Sequence, residues 1–381
     1  METKNTKVSV VFPSKNEEKT IGICIKKTKE ILQKENINGE IIVSDSSTDK
    51  TPEIARKLGA KVIKPPSEGY GSAYMAGFAV AKGELIIMGD ADDTYDFYEI
   101  PKLLKPLKEN KADLVLGSRI KGKILPNSMP LLHRYIGNPL LSFLLNTFFG
   151  GSISDAHTGF RAIRRDALEK LDLHTTGMEF ASEMIVKAMK KKLRILEVPI
   201  TYHPRKTKSK LSSFSDGWRH LRFMLLYSPN YLFLIPGFIM FLTGLLLLLA
   251  LLNGPITLFN FRLDLHPMVL ASLLAIVGFQ VLIMGIFTKT YAATSHLEEE
   301  TLLVKLVYKH FSLERASLLG ILMIILGLIL SFDIIYSWVM SKFGPLFEVR
   351  RAIFSSTLII LGIQAIFSSF FLSILALPKK E

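Results

Sequence analysis

Apolar runs of three to five residues recur along the chain up to Val198, separated by segments of helical periodicity. Val8–Phe12, Glu40–Ser44, Lys61–Ile63, Glu84–Met88, Asp113–Leu116 and Ile195–Val198 predict buried strands. The segments between them predict helices from Asn16, a candidate cap, to about Lys34, and over Thr51–Leu58, Glu99–Glu109 and Glu179–Lys190. Strand–helix alternation of this kind predicts an α/β fold built on a doubly wound, mostly parallel sheet.

The rhythm changes at Lys121. Lys121–Pro130 is a basic loop with two prolines. Leu131–Phe149 is rich in Leu and Phe but is interrupted by His133, Arg134, Asn138, Pro139 and Asn146. It predicts one or two helices lying at a membrane surface rather than crossing it. Tyr202–Lys210 is a concentrated basic loop. Leu211–Tyr227 then sets Phe214, Trp218, Leu221 and Leu225 at helical spacing, with Arg219 and Arg222 elsewhere, which is the pattern of an interfacial amphipathic helix. Four apolar spans follow, near Tyr231–Leu252, Pro267–Phe287, Ala316–Met340 and Ile353–Leu377. Each is long enough for a bilayer, which needs about 20 apolar residues. Lys289, Lys305, Lys309 and Arg315 after the second span, with Lys379 and Lys380 at the end, predict that both termini are cytoplasmic. The expected localisation is therefore a cell membrane, multi-pass, with the α/β part in the cytoplasm.

Composition agrees. Hydrophobic residues make up 49% of the 381, and the mean hydropathy of +0.31 points to membrane segments. The formal net charge of +13 suits anionic headgroups and phosphorylated substrates. Its concentration beside apolar helices argues against nucleic acid. Cys24 is the single cysteine, so no internal disulfide forms and a reducing compartment is expected. The polar start, Met1–Lys7, carries no secretory signal pattern.

Candidate chemistry gathers at Gly89-Asp90-Ala91-Asp92-Asp93. These carboxylates follow a strand, and ligands of open α/β sheets collect at strand carboxyl ends. Crowded carboxylates need a compensating cation. Mg²⁺ held by one or two carboxylates keeps its other positions for phosphate oxygens and water. A solvated Asp-rich turn would carry the same residues. Asp45 follows a neighbouring strand and is either a nucleotide contact or a helix cap. Arg119, His133, Arg134, Arg205 and Lys210 are candidates for gripping a phosphate, arginine because its planar fork binds phosphate bidentately. Arg205–Lys210 equally fits a lipid-surface anchor. Glu179 and Glu183 lie one helical turn apart and either reach the site or are solvated. His157 reads as a structural hydrogen-bonder.

The ordered set Val8–Glu18, Asp45-Ser46-Ser47-Thr48-Asp49, Gly89–Asp93 and Gly117-Ser118-Arg119 resembles the GT-A domain of family 2 glycosyltransferases. With Thr158-Gly159-Phe160-Arg161, Ser209-Lys210-Leu211 and the apolar spans, it is most similar to the polyprenyl-phosphate (dolichyl-phosphate) hexose synthases. The resemblance covers about residues 7–228 motif by motif, and the membrane part only in kind. It implies a GT-A domain over 1–210 with an acceptor-side interfacial segment at about 121–150, a juxtamembrane helix over 211–229 and a four-helix membrane domain over 230–381. It implies that Pro13, Asn16, Glu17, Asp45, Asp90, Arg205 and Lys210 bind the nucleotide sugar. Asp92, or Asp92 with Asp93, would hold Mg²⁺ or Mn²⁺. Arg119, His133, Arg134 and Ser209 would face the acceptor phosphate, and Asp92, Asp155 and Arg119 would be the catalytic set. Two departures stand out: Thr207 replaces a frequent Gly, and Asp93-Thr94-Tyr95 stands where Gln or Asn commonly follows the second Asp. The implied reaction moves a hexose, from UDP-glucose first and GDP-mannose second, to a polyprenyl or dolichyl phosphate with inversion. Self-association is left open. A processive polysaccharide synthase would carry a Gln-x-x-Arg-Trp signature, which this chain lacks. A non-catalytic membrane scaffold with a degenerate domain would not keep these acidic and basic positions.

Overall fold

The computed structural model describes residues 7–206, 213–258, 261–294 and 313–375. The chain forms two compact units, Met1–Tyr227 and Ser228–Glu381. The first is built on a seven-stranded sheet of order β3-β2-β1-β4-β6-β5-β7. Its strands are β1 (Val8–Ser14), β2 (Gly39–Asp45), β3 (Lys61–Ile63), β4 (Leu85–Met88), β5 (Leu114–Ile124), β6 (Arg161–Arg164) and β7 (Ile195–Tyr202). Its helices are α1 (Ile21–Lys34), α2 (Thr51–Lys57), α3 (Tyr70–Val80), α4 (Ile100–Lys108), α5 (Asn138–Phe149), α6 (Arg165–Leu171), α7 (Phe180–Lys190) and α8 (Ser213–Leu226).

All strand pairs run parallel except those of β6, which lies antiparallel between β4 and β5. The sheet is therefore mostly parallel and doubly wound. Both faces are covered: Val10, Phe12, Ile41, Ile87 and Val115 enter one apolar cluster, and Val11, Ile42, Ile86, Leu114 and Leu116 the other. Alternate residues of each strand thus feed opposite layers, as the pleat requires. Because β1, β2 and β4 are parallel, their carboxyl ends meet on one edge, and Pro13–Glu17, Asp45–Ser46 and Asp90–Asp92 emerge together there.

Leu131, Leu132, Tyr135, Ile136, Leu140 and Phe143 form an exposed apolar row along a π-helical turn, His133–Gly137, and α5. The opposite side of α5 is buried through Ser142 and Leu145. This is the two-faced make-up of a helix lying on a bilayer. On α8, His220, Phe223 and Met224 are buried, while Trp218 and Leu226 are exposed.

The second unit holds four helices long and apolar enough to cross a membrane: Asn230–Leu251, Leu265–Ala292, Leu313–Met340 and Val349–Leu375. The first two pack closely, because a Cβ at Gly244 would stand 2.3 Å from the Ala275 nitrogen. The last two do so at Gly362, where a Cβ would stand 2.6 Å from the Gly320 oxygen. Small residues at such crossings let helix backbones approach in lipid. Arg350 pairs with Asp264 and donates to the Leu251 carbonyl, tying the ends of three of these helices.

Candidate active site

A cleft of about 580 Å³ opens over the sheet's carboxyl edge within the first unit. Pro13, Glu17, Asp90, Asp92, Arg119 and Arg205 line it together, as expected from the sequence. They come from four strands, β1, β4, β5 and β7, or from the loops that follow them, and the parallel topology brings them to one place.

The acidic turn divides its carboxylates. Asp92 Oδ1 accepts from the Thr94 N–H at 3.1 Å and the Thr94 hydroxyl at 2.6 Å, and these bonds aim Oδ2 into the cleft. There the Arg205 guanidinium stands 3.0 Å from Oδ2 and 3.8 Å from a Glu17 oxygen. Asp90 accepts from the Tyr70 hydroxyl at 3.0 Å. Burial and the neighbouring Asp92 carboxylate push the Asp90 carboxyl up to about 7. Gly159 is required here: a Cβ would come within 2.6 Å of Asp90 Oδ2. Asp93 turns the other way, at φ +61°, and Lys27 and Lys206 take its two oxygens at 2.8 and 2.6 Å. Lysines thus satisfy Asp93 behind the cleft, and Asp92 is the member of that pair presented to a ligand.

These residues fit a divalent cation. Two carboxylates share one buried turn, one of them with a raised affinity for protons, and a guanidinium already occupies the cationic position between Asp92 and Glu17. An oxygen donor set of this kind matches Mg²⁺ or Mn²⁺ completed by phosphate oxygens. Among the described residues no group of three His, Cys, Asp or Glu forms a complete protein cage.

Arg119 and Asp155 form one unit. Arg119 Nε and Nη2 each donate to an Asp155 oxygen at 2.7 Å, and the Arg119 backbone N–H adds a third bond at 2.9 Å. Asp155 is fully buried and lies behind the arginine, while Arg119 reaches the cleft and stacks 5.2 Å over the Tyr202 ring. Asp155 therefore acts through Arg119. Asp45 is likewise a second-row residue: the Ser14 and Ser47 hydroxyls donate to one of its oxygens at 2.6 Å each. Asn16, at φ +54°, accepts from the Thr48 N–H and locks the first loop to the second.

His133 and Arg134 are not among the cleft residues; they sit on the turn bearing the exposed apolar row, where Arg134 stacks on Tyr135. Thr207, Ser209 and Lys210 lie outside the described residues. Glu183 is fully buried and does not reach the cleft, since it accepts from the Thr175 hydroxyl, the Thr175 and His174 N–H groups and Lys187. Sequence reasoning missed Tyr70, Met178, Tyr202, Arg219 and His220, and set His157 aside; all six line the cleft. Arg219 and His220 were hidden because their helix carries a membrane-surface pattern. His157 had a signal in its place beside Thr158-Gly159, the tight segment that touches Asp90.

Residues 9–172 match the family model described as glycosyl transferase family 2, and residues 286–376 match the family 2 C-terminal transmembrane region. The chain is 44% identical over 365 residues to the low-salt glycan biosynthesis hexosyltransferase Agl6 of Haloferax volcanii, covering 96% of this chain and 88% of that protein. It is 34% identical to a dolichyl-phosphate hexose transferase of the same organism, over 55% of this chain and 89% of that one. The fold is also similar to glucosyl-3-phosphoglycerate synthase of Mycobacterium tuberculosis, solved with Mn²⁺, uridine diphosphate and its product. That likeness has a TM-score of 0.50 at 22% identity and covers 58% of this chain and 80% of that one.

Proposed function

The chain belongs to glycosyltransferase family 2, and from that premise we propose that it transfers one hexose from a nucleotide diphosphate sugar to a polyprenyl or dolichyl phosphate, inverting the anomeric centre. The observation that carries the reading is the cleft in which Asp90 and Asp92 face Arg205 and Arg119, on a chain with four apolar spans. The Agl6 and dolichyl-phosphate relatives support the same class of reaction.

In this reading Pro13 and Glu17 flank the nucleoside, while Asn16 and Asp45 fix the loops behind them. Asp92, with Asp90, would hold Mg²⁺ or Mn²⁺; the ion would neutralise the diphosphate and stabilise the departing nucleotide. Arg205 moves from Asp92 to the diphosphate, because a phosphate offers its fork two oxygens in place of one. Arg119, oriented by Asp155, faces the acceptor. A phosphate monoester, with a second pKa of about 6, is already a nucleophile at neutral pH. No side chain has to act as a general base, and Asp155 is not assigned that role. Attack from the Arg119 side, opposite the leaving diphosphate, inverts the sugar. The donor proposed first is UDP-glucose, with GDP-mannose as its rival, and the catalytic unit is placed on the cytoplasmic side.

The test is incubation of membranes holding the full chain with polyprenyl phosphate, a divalent metal and a panel of UDP- and GDP-sugars. The expected product is a lipid bearing one hexose of inverted configuration. Asp92→Asn should cut its formation by about 10²–10³-fold while leaving the protein folded. Full activity in that variant, or no glycolipid from any donor, would overturn the proposal.

A further inference from the structure

Strand β5 loses its register with β7 at the residue that carries the acceptor-side cation. Ser118 pairs with Pro199 and Lys123 with Thr201, so residues 119–122 stand opposite Ile200 alone. A bulge beside an active site re-aims a side chain that a regular strand would point elsewhere. Here that side chain is Arg119. The bulge is tight, because a Cβ at Gly122 would stand 1.9 Å from the Ile200 oxygen. The ladder beside it is weak: Pro199 has no N–H to donate, and β7 is the last strand of the sheet. The bulge is held by other ties.

Glu197 supplies them. Its side chain is 5% exposed, and it is not among the cleft residues. Oε1 accepts from the Ser154 N–H at 2.9 Å, the Ser154 hydroxyl at 2.9 Å and the Asp155 N–H at 3.0 Å. Oε2 stands 2.7 Å from Nζ of Lys121, which lies on the bulge. A carboxylate only accepts, so the Ser154 proton goes to Glu197, and Ser118 donates to Ser154 across 2.8 Å. Ser118 Oγ in turn accepts from the Lys121 N–H at 3.1 Å. A ring of bonds thus leaves Lys121 by its backbone, passes through Ser118 and Ser154 to Glu197, and returns to the Lys121 ammonium. Arg119 lies within the stretch that this ring closes. Its guanidinium and its N–H go to Asp155, whose own N–H is held by Glu197. One carboxylate therefore fixes both the bulge that bears Arg119 and the segment that bears its counter-ion. Lys121 balances the charge of Glu197, so Glu197 acts on the cleft through geometry.

We propose that Glu197 is a positioning residue for the lipid phosphate: it clamps the β5 bulge to Ser154 and Asp155 and so sets the direction in which Arg119 enters the cleft. The proposal rests on the glycosyl-transfer reading, which gives Arg119 the acceptor.

The experiment uses the full chain in nanodiscs, with farnesyl phosphate and UDP plus Mn²⁺ as separate calorimetric probes. Glu197→Gln keeps an acceptor for Ser154 and Asp155 and removes the tie to Lys121. Lys121→Met removes the same tie from a half-exposed position. Glu197→Gln should weaken farnesyl phosphate by about tenfold, the effect of losing a bond between charged groups. Lys121→Met should weaken it by about threefold, because water screens that end of the pair. Both should leave UDP affinity within about twofold, since β5 and β7 lie apart from the β1 and β4 loops. In an Arg119→Lys background, whose ammonium lacks the fork that Asp155 orients, Glu197→Gln should weaken farnesyl phosphate by less than about twofold more. A carboxylate that merely stabilised the fold would weaken both probes and would add its full effect to that of Arg119→Lys. Unchanged farnesyl phosphate affinity in Glu197→Gln, equal weakening of UDP, or fully additive losses would each overturn the assignment. If Glu197→Gln does not fold, Lys121→Met decides by the same criteria. Farnesyl phosphate binding that shows the stated coupling, in a chain that transfers sugar from no donor, would uphold the clamp and overturn the transfer reading.

Discussion

Asp155 shows how a residue can shape the cleft without lining it. Both of its oxygens are committed to Arg119, and it has no exposed surface. Removing one partner of such a pair leaves a buried charge without compensation. Asp155→Asn should therefore destabilise the first unit by about 3–5 kcal/mol, measured as denaturant midpoint, and lower kcat through a displaced Arg119. Glu183 makes a comparable point for stability. Burial opposes its ionisation, but bonds from Thr175, Lys187 and His174 outweigh this and hold its pKa below the ordinary glutamate value. A pKa lowered by folding contributes stability that is complete above the unfolded value, about 4.3, and is lost as pH falls through the folded value. Glu183→Gln should thus cost about 1–3 kcal/mol at pH 7. The gap between native and variant should close as unfolding is followed below about pH 4. A gap independent of pH would mean that packing, not charge, sets the cost.

At the scale of elements, α8 carries two opposed apolar faces. Met224 is fully buried among α5 and α7 residues, whereas Trp218 is 54% exposed. Met224→Ala should cost about 2–5 kcal/mol of stability. Trp218→Ala should change stability by no more than about 0.5 kcal/mol. In a Trp338→Phe background, Trp218 emission should be quenched by brominated lipids, which would identify the exposed face as the one in the bilayer. The same helix explains what the sequence could not show. Its periodicity marked Phe214, Trp218, Leu221 and Leu225 as the apolar stripe, and nothing in that pattern distinguishes a lipid-facing stripe from a core-facing one. His220 looked like part of the polar side, and only the packing of α8 on α7 brings it to Ser182. Strand β6 was invisible for a simpler reason: Arg161-Ala162-Ile163-Arg164 offers two apolar residues and no period. By contrast β1, β2, β4 and β5 were legible because strands covered on both faces must be continuously apolar. The acidic turn was legible as a motif, but the division of labour between Asp92 and Asp93 depends on Lys27 and Lys206, which lie 66 and 113 residues from Asp93.

For the whole molecule, crossing by all four apolar helices would return the chain to the side on which it began and put the catalytic unit and the C-terminus in one compartment. The basic residues after the second span and at the end of the chain predict that this compartment is the cytoplasm. The chain is well suited to a direct test, because its single cysteine is inert: Cys24 is fully buried, and burial pushes its thiol pKa up. Lys19→Cys places a thiol on the exposed side of the first unit. Phe347→Cys places one in the connection between the third and fourth membrane helices, at a residue 89% exposed. In intact cells a membrane-impermeant maleimide should label Phe347→Cys at once and Lys19→Cys only after permeabilisation. The reverse order would put the cleft outside the cell, away from nucleotide sugars, and would remove the cytoplasmic donor on which the proposed reaction depends.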